Sequence, residues 1–285
     1  MTRTALLWVT HVWSDEIKEE FEKFLAVRYP GSPDIWLLAD ASISREHNLA
    51  GEYSHHFQFD ASSLFQRLPY RRLEGKGLLH NTHFPLMDFY RSHPHYDFYW
   101  CIEFDVRYTG SWGSFLRQFE SMDDDFITSH IRWFSAEPDW YWWDTLNHPS
   151  KEIPREHCIR SFNVILRISS GALEYMHGQL EDGWRGHFEV SFPTLLYHGG
   201  YRIRDFGGDG GFVYPDMINR NYTSHAGKRG LLNPFCTVHW RPSSPHPGLR
   251  RNRIYHPVKP RHMNEPWKER WNYYKMWIRQ CLDVR

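Results

Sequence analysis

Short solid apolar runs alternate along this chain with stretches in which apolar residues recur at helical spacing. Thr4 to Thr10 (TALLWVT) is a solid run of strand length. Ser14 then offers a helix N-cap, with Asp15 and Glu16 favourable in the first turn. Ile17, Phe21, Phe24 and Leu25 follow on one helical face, and Tyr29-Pro30-Gly31-Ser32-Pro33 ends it. Asp34 to Asp40 (DIWLLAD) is a second strand that closes on an acid, giving a β-α-β opening. It carries neither GxGxxG nor a GK[ST] loop, so it is neither a dinucleotide fingerprint nor a Walker NTPase.

Residues 41 to 79 are weakly patterned, with a short helix expected after Asp60. Asn81 to Arg91 places Phe84, Met87 and Tyr90 at helical spacing, and Pro94 stops it. A strand over Tyr96 to Asp105 collects Tyr96, Phe98, Tyr99, Trp100 and Ile102, and Ser111 to Phe119 opens another helix. Phe126 to Ile131 is a short apolar run. Asp123-Asp124-Asp125 precedes that run rather than following it, and reads as a cap or solvated turn more than as a metal motif. Glu156 to Leu180 predicts one long helix packing Ile159, Phe162, Ile165 and Leu166, with Leu173 and Met176 beyond a kink at Ser169-Ser170-Gly171. Phe188 to Tyr197 predicts a further helix, broken or kinked at Pro193 and ended by Gly199-Gly200. Tyr201 to Phe206 alternates like a strand. Beyond Gly207 the chain is rich in Gly, Pro, Arg and His, which predicts irregular structure wrapping back over the sheet, and Trp267 to Leu282 reads as a terminal helix. The fold class is α/β: a mixed sheet flanked by helices, in one large domain over 1–265 with a C-terminal helix, 266–285, packed on it.

Composition narrows the function. The 285 residues carry 34 basic and 34 acidic side chains, a balance that argues against a general nucleic-acid binder. Aromatic content is 17% with 14 Trp, enough to serve both a core and a sugar-stacking surface. Trp133 to Trp143 (WFSAEPDWYWW) is too irregular for a strand and reads as a wall or lid over a pocket, or as a loop plugging the core. Cys101, Cys158, Cys236 and Cys281 are widely spaced with no CxxC pairing, which points to reduced thiols in a cytosol-like compartment and a cytoplasmic location. No apolar run has transmembrane length, and the N-terminus turns polar too soon for a signal peptide. Peripheral membrane contact, and a tether outside this sequence, stay open.

Three constellations could carry chemistry. Glu103 and Asp105 end an apolar strand, and ligands in open α/β sheets bind outside the carboxyl ends of strands. Two oxygen ligands there suit Mg2+ or Mn2+ carrying a diphosphate; a solvated turn is the equal alternative. Glu189, in GHFEVSFPT, could deprotonate a hydroxyl from the start of its helix, or could simply complement the helix dipole; Glu181 and Asp182 are nearby alternatives. Among 19 His, the late set His225, His239, His246, His256 and His262 draws notice. His256 lies between apolar residues in IYHPVK, with His239 as its rival. Arg250, Arg251, Arg253 and Lys259 could meet phosphate or form a solvated basic surface. No GxSxG or HExxH is present.

Trp100, Glu103, Asp105, Val106, Gly110 and Trp112 carry a resemblance. On them the chain resembles nucleotide-sugar-dependent glycosyltransferases of the GT-A fold, in a poorly characterised branch, over residues 4 to about 260. The resemblance implies metal-dependent transfer of a hexosyl or pentosyl group from a nucleoside-diphosphate sugar to a glycan or other hydroxyl acceptor, with inversion. Glu103-Phe104-Asp105 would be the DxD-like metal motif, departing from it by Glu in first place, and His256 would complete the Mn2+ or Mg2+ site. Glu189 would be the base. Thr10 and His11 would lie against the nucleotide base, Asp40 near the nucleoside, and Arg253 and Lys259 at the phosphates. A non-catalytic carbohydrate-binding protein using residues 133–143 is one alternative. A metal-dependent hydrolase built from the abundant His and Asp is another.

Overall fold

Strand β1 (Thr4–Thr10) lies at the heart of the molecule because both its faces are apolar: Ala5 and Leu7 face one core, Leu6 and Trp8 the other. The computed structural model describes residues 2–75, 77–224 and 233–282, except for the side chains of 277 and 280–282. His225 and the Cys281 side chain lie outside the described residues. Helix α1 (Asp15–Leu25) starts where Ser14 accepts from the Ile17 amide at 3.4 Å. It buries Ile17, Phe21 and Phe24, each a contribution of about 1.5–3 kcal/mol. It returns the chain to β2 (Asp34–Asp40), parallel to β1 in the register Leu7 opposite Trp36.

The weakly patterned region proves more structured than its sequence suggests. It holds α2 (Ala41–Glu46), α3 (Leu49–Glu52), β3 (His56–Phe59) and α4 (Ala61–Arg67). These elements are four to seven residues long, too short for a hydrophobic period to show. Helix α5 (Phe84–Ser92), strand β4 (Phe98–Glu103), the two-residue β5 (Arg107–Tyr108), helix α6 (Trp112–Arg117) and strand β6 (Phe126–Trp133) fall where the pattern places them, β5 apart.

The largest departure is at 156–180. The first half of the expected helix is β7 (Ile159–Ser169), eleven buried residues, and only the second half is helical, as α7 (Ser170–Asp182). The expected kink is in fact an N-cap, where Ser169 accepts from the Ala172 amide at 3.1 Å. A strand covered on both faces loses its two-residue alternation, so its apolar residues mimic a helical face. Helix α8 (Phe188–His198) runs through Pro193 rather than breaking there. Proline supplies no amide to the Glu189 carbonyl one turn back, and the Ser161 hydroxyl approaches that carbonyl at 3.5 Å. The short β8 (Ile203–Asp205) and β9 (Ile254–Tyr255) precede the terminal helix α9 (Trp267–Leu282).

Seven strands form one mixed sheet in the order β3-β2-β1-β4-β7-β6-β8, and β5 pairs with β9 in a small second sheet. β7 is antiparallel to both neighbours, β4 and β6, while the other pairings of the seven-stranded sheet are parallel. One face is covered by α5, α7 and α8 through residues such as Met87, Met176 and Phe192, the other by α1, α6 and the wrapping segment through Phe21, Phe115 and Tyr222. Register shifts in β6 around Ser129 put His130 at φ 51, and its amide is held at 2.7 Å by the Tyr222 hydroxyl. Bulges of this kind re-aim side chains beside sites. Because β7 alone runs the other way, its first residues stand at the edge where the parallel strands end.

Candidate active site

At that edge the chain gathers charge. Glu103 is the last residue of β4, and Asp105 sits in the turn two residues on, with only 3% of its surface exposed. The segment 254–259 runs alongside, with Arg107 opposite Tyr255 and the Val258 amide donating to the Asp105 carbonyl at 2.8 Å. That pairing delivers His256 and Lys259. His256 Nε2 lies 3.4 Å from Asp105 Oδ1 and 3.9 Å from Glu103 Oε2, and Lys259 Nζ lies 3.3 Å from Asp105 Oδ2. One ligand atom from each of Glu103, Asp105 and His256 falls within 4.8 Å of the others.

The electrostatics follow from that crowding. Burial works against the Asp105 carboxylate, but His256 and Lys259 outweigh it and hold its pKa well below the usual carboxylate range. Glu103 is pushed up to about 7, by burial and then by the Asp105 charge; its side chain keeps 39% exposure, so solvent tempers the push. For His256 burial favours the neutral ring, yet Asp105 and Glu103 raise its pKa overall. His256 Nδ1 donates to the His239 carbonyl at 2.8 Å, so Nε2 is the atom turned to the carboxylates. The group fits a hard divalent cation. Two carboxylates and one imidazole are a suitable donor set, and the buried Asp105 Oδ1 has no hydrogen-bond partner among the described residues.

Glu189 occupies the first turn of α8, with Oε2 3.6 Å from the Nδ1 of the capping residue His187. Burial pushes its pKa up to about 8, Arg160 opposes the shift, and Glu103 adds to it. The Glu103 charge is thus felt at Glu189. The aromatic segment forms the neighbouring wall in part: Trp142 stacks flat on His187, centroids 4.2 Å apart, while Trp143 is buried and Tyr141 points to solvent.

The remaining residues singled out in the sequence divide. His11 stands at the cluster, edge-on to Phe104 at 5.0 Å; desolvation lowers its pKa against the pull of Asp105, although the ring keeps solvent access. The Thr10 hydroxyl is buried and closes a turn, donating to the Val12 carbonyl at 2.5 Å. Asp40 caps α2, accepting from the Ser42 amide at 2.8 Å and from the Ser42 hydroxyl. Arg253 does not join the cluster: its guanidinium donates to the Arg220 and Asn252 carbonyls. His239 stands behind His256 and contributes its carbonyl. The acidic triplet is structural: Asp124 meets Arg204 and Tyr214, and Asp125 meets Ser169 and the Arg202 amide.

Two residues escaped notice in the sequence. Arg160, on β7 and fully buried, forms an ion pair with Glu137 and lies 4.8 Å over the Trp140 ring. Arg160 Nε and Nη1, Glu137 Oε1 and Trp140 Nε1 are all buried without a hydrogen-bond partner among the described residues. The signal was a cation inside a solid apolar run, which needs a partner if that run is a buried strand.

A family profile described as "Protein of unknown function (DUF3405)" matches residues 43–125, a stretch that contains Glu103 and Asp105 but neither Glu189 nor His256. No curated protein matches the chain. Among solved structures, the chain is similar to 4-diphosphocytidyl-2C-methyl-D-erythritol synthase from Anaerococcus prevotii DSM 20548, at 6% identity and a TM-score of 0.39, over 72% of this chain and 87% of that one. A likeness that coarse carries no residue role across.

Proposed function

We propose that this protein is a metal-dependent glycosyltransferase that moves a sugar from a nucleoside diphosphate to an acceptor hydroxyl. The observation that carries this reading is the meeting of Glu103, Asp105 and His256 at the carboxyl edge of the sheet, with Lys259 against Asp105. Glu103, Asp105 and His256 would hold Mn2+ or Mg2+, which when bound neutralises diphosphate charge as the leaving group departs. Lys259 supplies a fixed positive charge beside the same phosphates. His11, just past the end of β1, would line the nucleotide.

Glu189 would take the proton of the acceptor hydroxyl as it attacks the anomeric carbon from the face opposite the diphosphate, with inversion. A carboxyl pushed up to about 8 is a stronger base than an exposed one, and a pKa near the working pH suits a general base. The half-buried Trp142, stacked on His187, offers an apolar wall for a sugar or acceptor ring. The buried polar atoms of Arg160, Glu137 and Trp140 near Glu189 further suggest a region built around a polar ligand. Calorimetry with UDP, GDP, CDP and ADP, each with and without Mn2+, tests the reading. Binding of at least one nucleotide that requires the cation supports it; no heat with any of them overturns it.

A further inference from the structure

Helix α9 is unusual in what it leaves uncovered. Over its sixteen residues, WKERWNYYKMWIRQCL, none of the described side chains is buried. Trp267, Trp271, Tyr274 and Ile278 recur at spacings of four, three and four, which puts them on a single stripe. That stripe faces water: Trp267 is 71% exposed, Trp271 46% and Ile278 41%. The wrapping segment extends it. Phe235, 56% exposed, lies 5.6 Å from the Tyr274 ring. Monomer surfaces seldom leave so much contiguous aromatic area in water without a use.

The charges say which use. At 100° per residue, Lys268, Lys275 and Arg279 flank the stripe on one side and Arg270 on the other, whereas Glu269, the one acid of the helix, falls on the far side. Lys275 Nζ lies 5.6 Å over the Trp271 ring, which keeps the cation level with the apolar stripe. Tryptophan settles at the headgroup level of a bilayer, and a helix with an apolar aromatic face bordered by cations lies in the plane of an anionic interface. We infer that α9, with Phe235, is a docking face for an anionic membrane surface.

Vesicle sedimentation tests this on the full chain. The chain is expected to pellet with phosphatidylcholine vesicles that include phosphatidylserine, not with phosphatidylcholine alone, and to be released by added salt. Each cation near such a surface is worth about fivefold in affinity, so Lys268→Gln with Lys275→Gln should weaken binding about 25-fold. Trp267→Ser with Trp271→Ser should abolish it, while circular dichroism and the thermal midpoint, which report the fold, stay put because these side chains are exposed. Pelleting that is absent, or equal on neutral vesicles, overturns the inference. So does a concentration-dependent dimer that Trp271→Ser dissolves in the absence of vesicle binding, since the face would then belong to a second copy of the chain.

Discussion

The Nδ1 of His256 lies 2.8 Å from the backbone carbonyl of His239. A carbonyl can only accept, so Nδ1 keeps its proton and Nε2 is presented to Asp105 and Glu103. The ring is thereby oriented by the backbone, and the side chain at 239 is not needed for it.

Cation binding should therefore depend on residues 105 and 256 and tolerate change at 239. Asp105→Asn and His256→Ala are each expected to weaken Mn2+ binding by at least about 10–100-fold, measured by calorimetry. His239→Leu keeps the carbonyl and is expected to retain the affinity. Equal affinity in all three variants would show that the cluster holds no cation.

Glu189 can be separated from its role at a helix end. As the base it predicts that Glu189→Gln lowers turnover by about 10²–10⁴-fold while nucleotide affinity stays level. As an acid serving only the α8 dipole it predicts unchanged turnover and a loss of stability of about 0.3–1 kcal/mol. Steady-state rates together with a denaturation curve distinguish the two.

Two buried histidines should remove stability on mild acidification, while Glu103 and Glu189, whose pKa values are raised, act in the opposite direction. His83 sits among Phe84, Phe188 and Phe192, and burial pushes its pKa down to about 3. His187 is pushed down to about 3 as well, by burial first and then by His83 and His80. The folded chain keeps these rings neutral, whereas the unfolded chain binds protons below about 6.5. Their contribution is complete above that pH and is lost progressively as pH falls toward 3, by up to about 1.4 kcal/mol per pH unit for each ring. Urea midpoints measured on both sides of the window should show His83→Met losing less stability on acidification than the parent chain does. A pH profile that His83→Met leaves unchanged rejects this account.

Arg160 and Glu137 form a deeply enclosed ion pair. Arg160→Met leaves Glu137 buried without its cation and is expected to cost about 3–5 kcal/mol. Adding Glu137→Gln should recover much of that loss, because the orphaned charge is gone. A double variant as unstable as the single one would mean that the damage lies in packing alone.

The first half of the sheet was legible because β1, α1 and β2 each state their own boundaries: a solid apolar run, a Ser14 cap, a Pro-Gly break. The metal-ligand candidates were legible for a related reason, since Glu103 and Asp105 close such a run and His256 interrupts an apolar one. β7 misled because burial on both faces erases alternation, and with its reading went Arg160, whose partner Glu137 lies on a separate segment. Arg253 misled differently. It directly precedes β9, but its guanidinium is taken up by the Arg220 and Asn252 carbonyls instead of turning to the cluster.

His256 meets Asp105 across a sequence separation of 151, on a segment held by the β5–β9 pair, by the Val258 amide on the Asp105 carbonyl and by backbone exchanges with Thr237, His239 and Ser244. Folding of the C-terminal wrap and completion of the site are thus coupled. A ligand that needs all the cluster members favours the wrapped state by RT ln(1 + [L]/Kd), and opening of the wrap releases the ligand by the same linkage. A ligand held by the cluster should therefore make the wrap more resistant to protease.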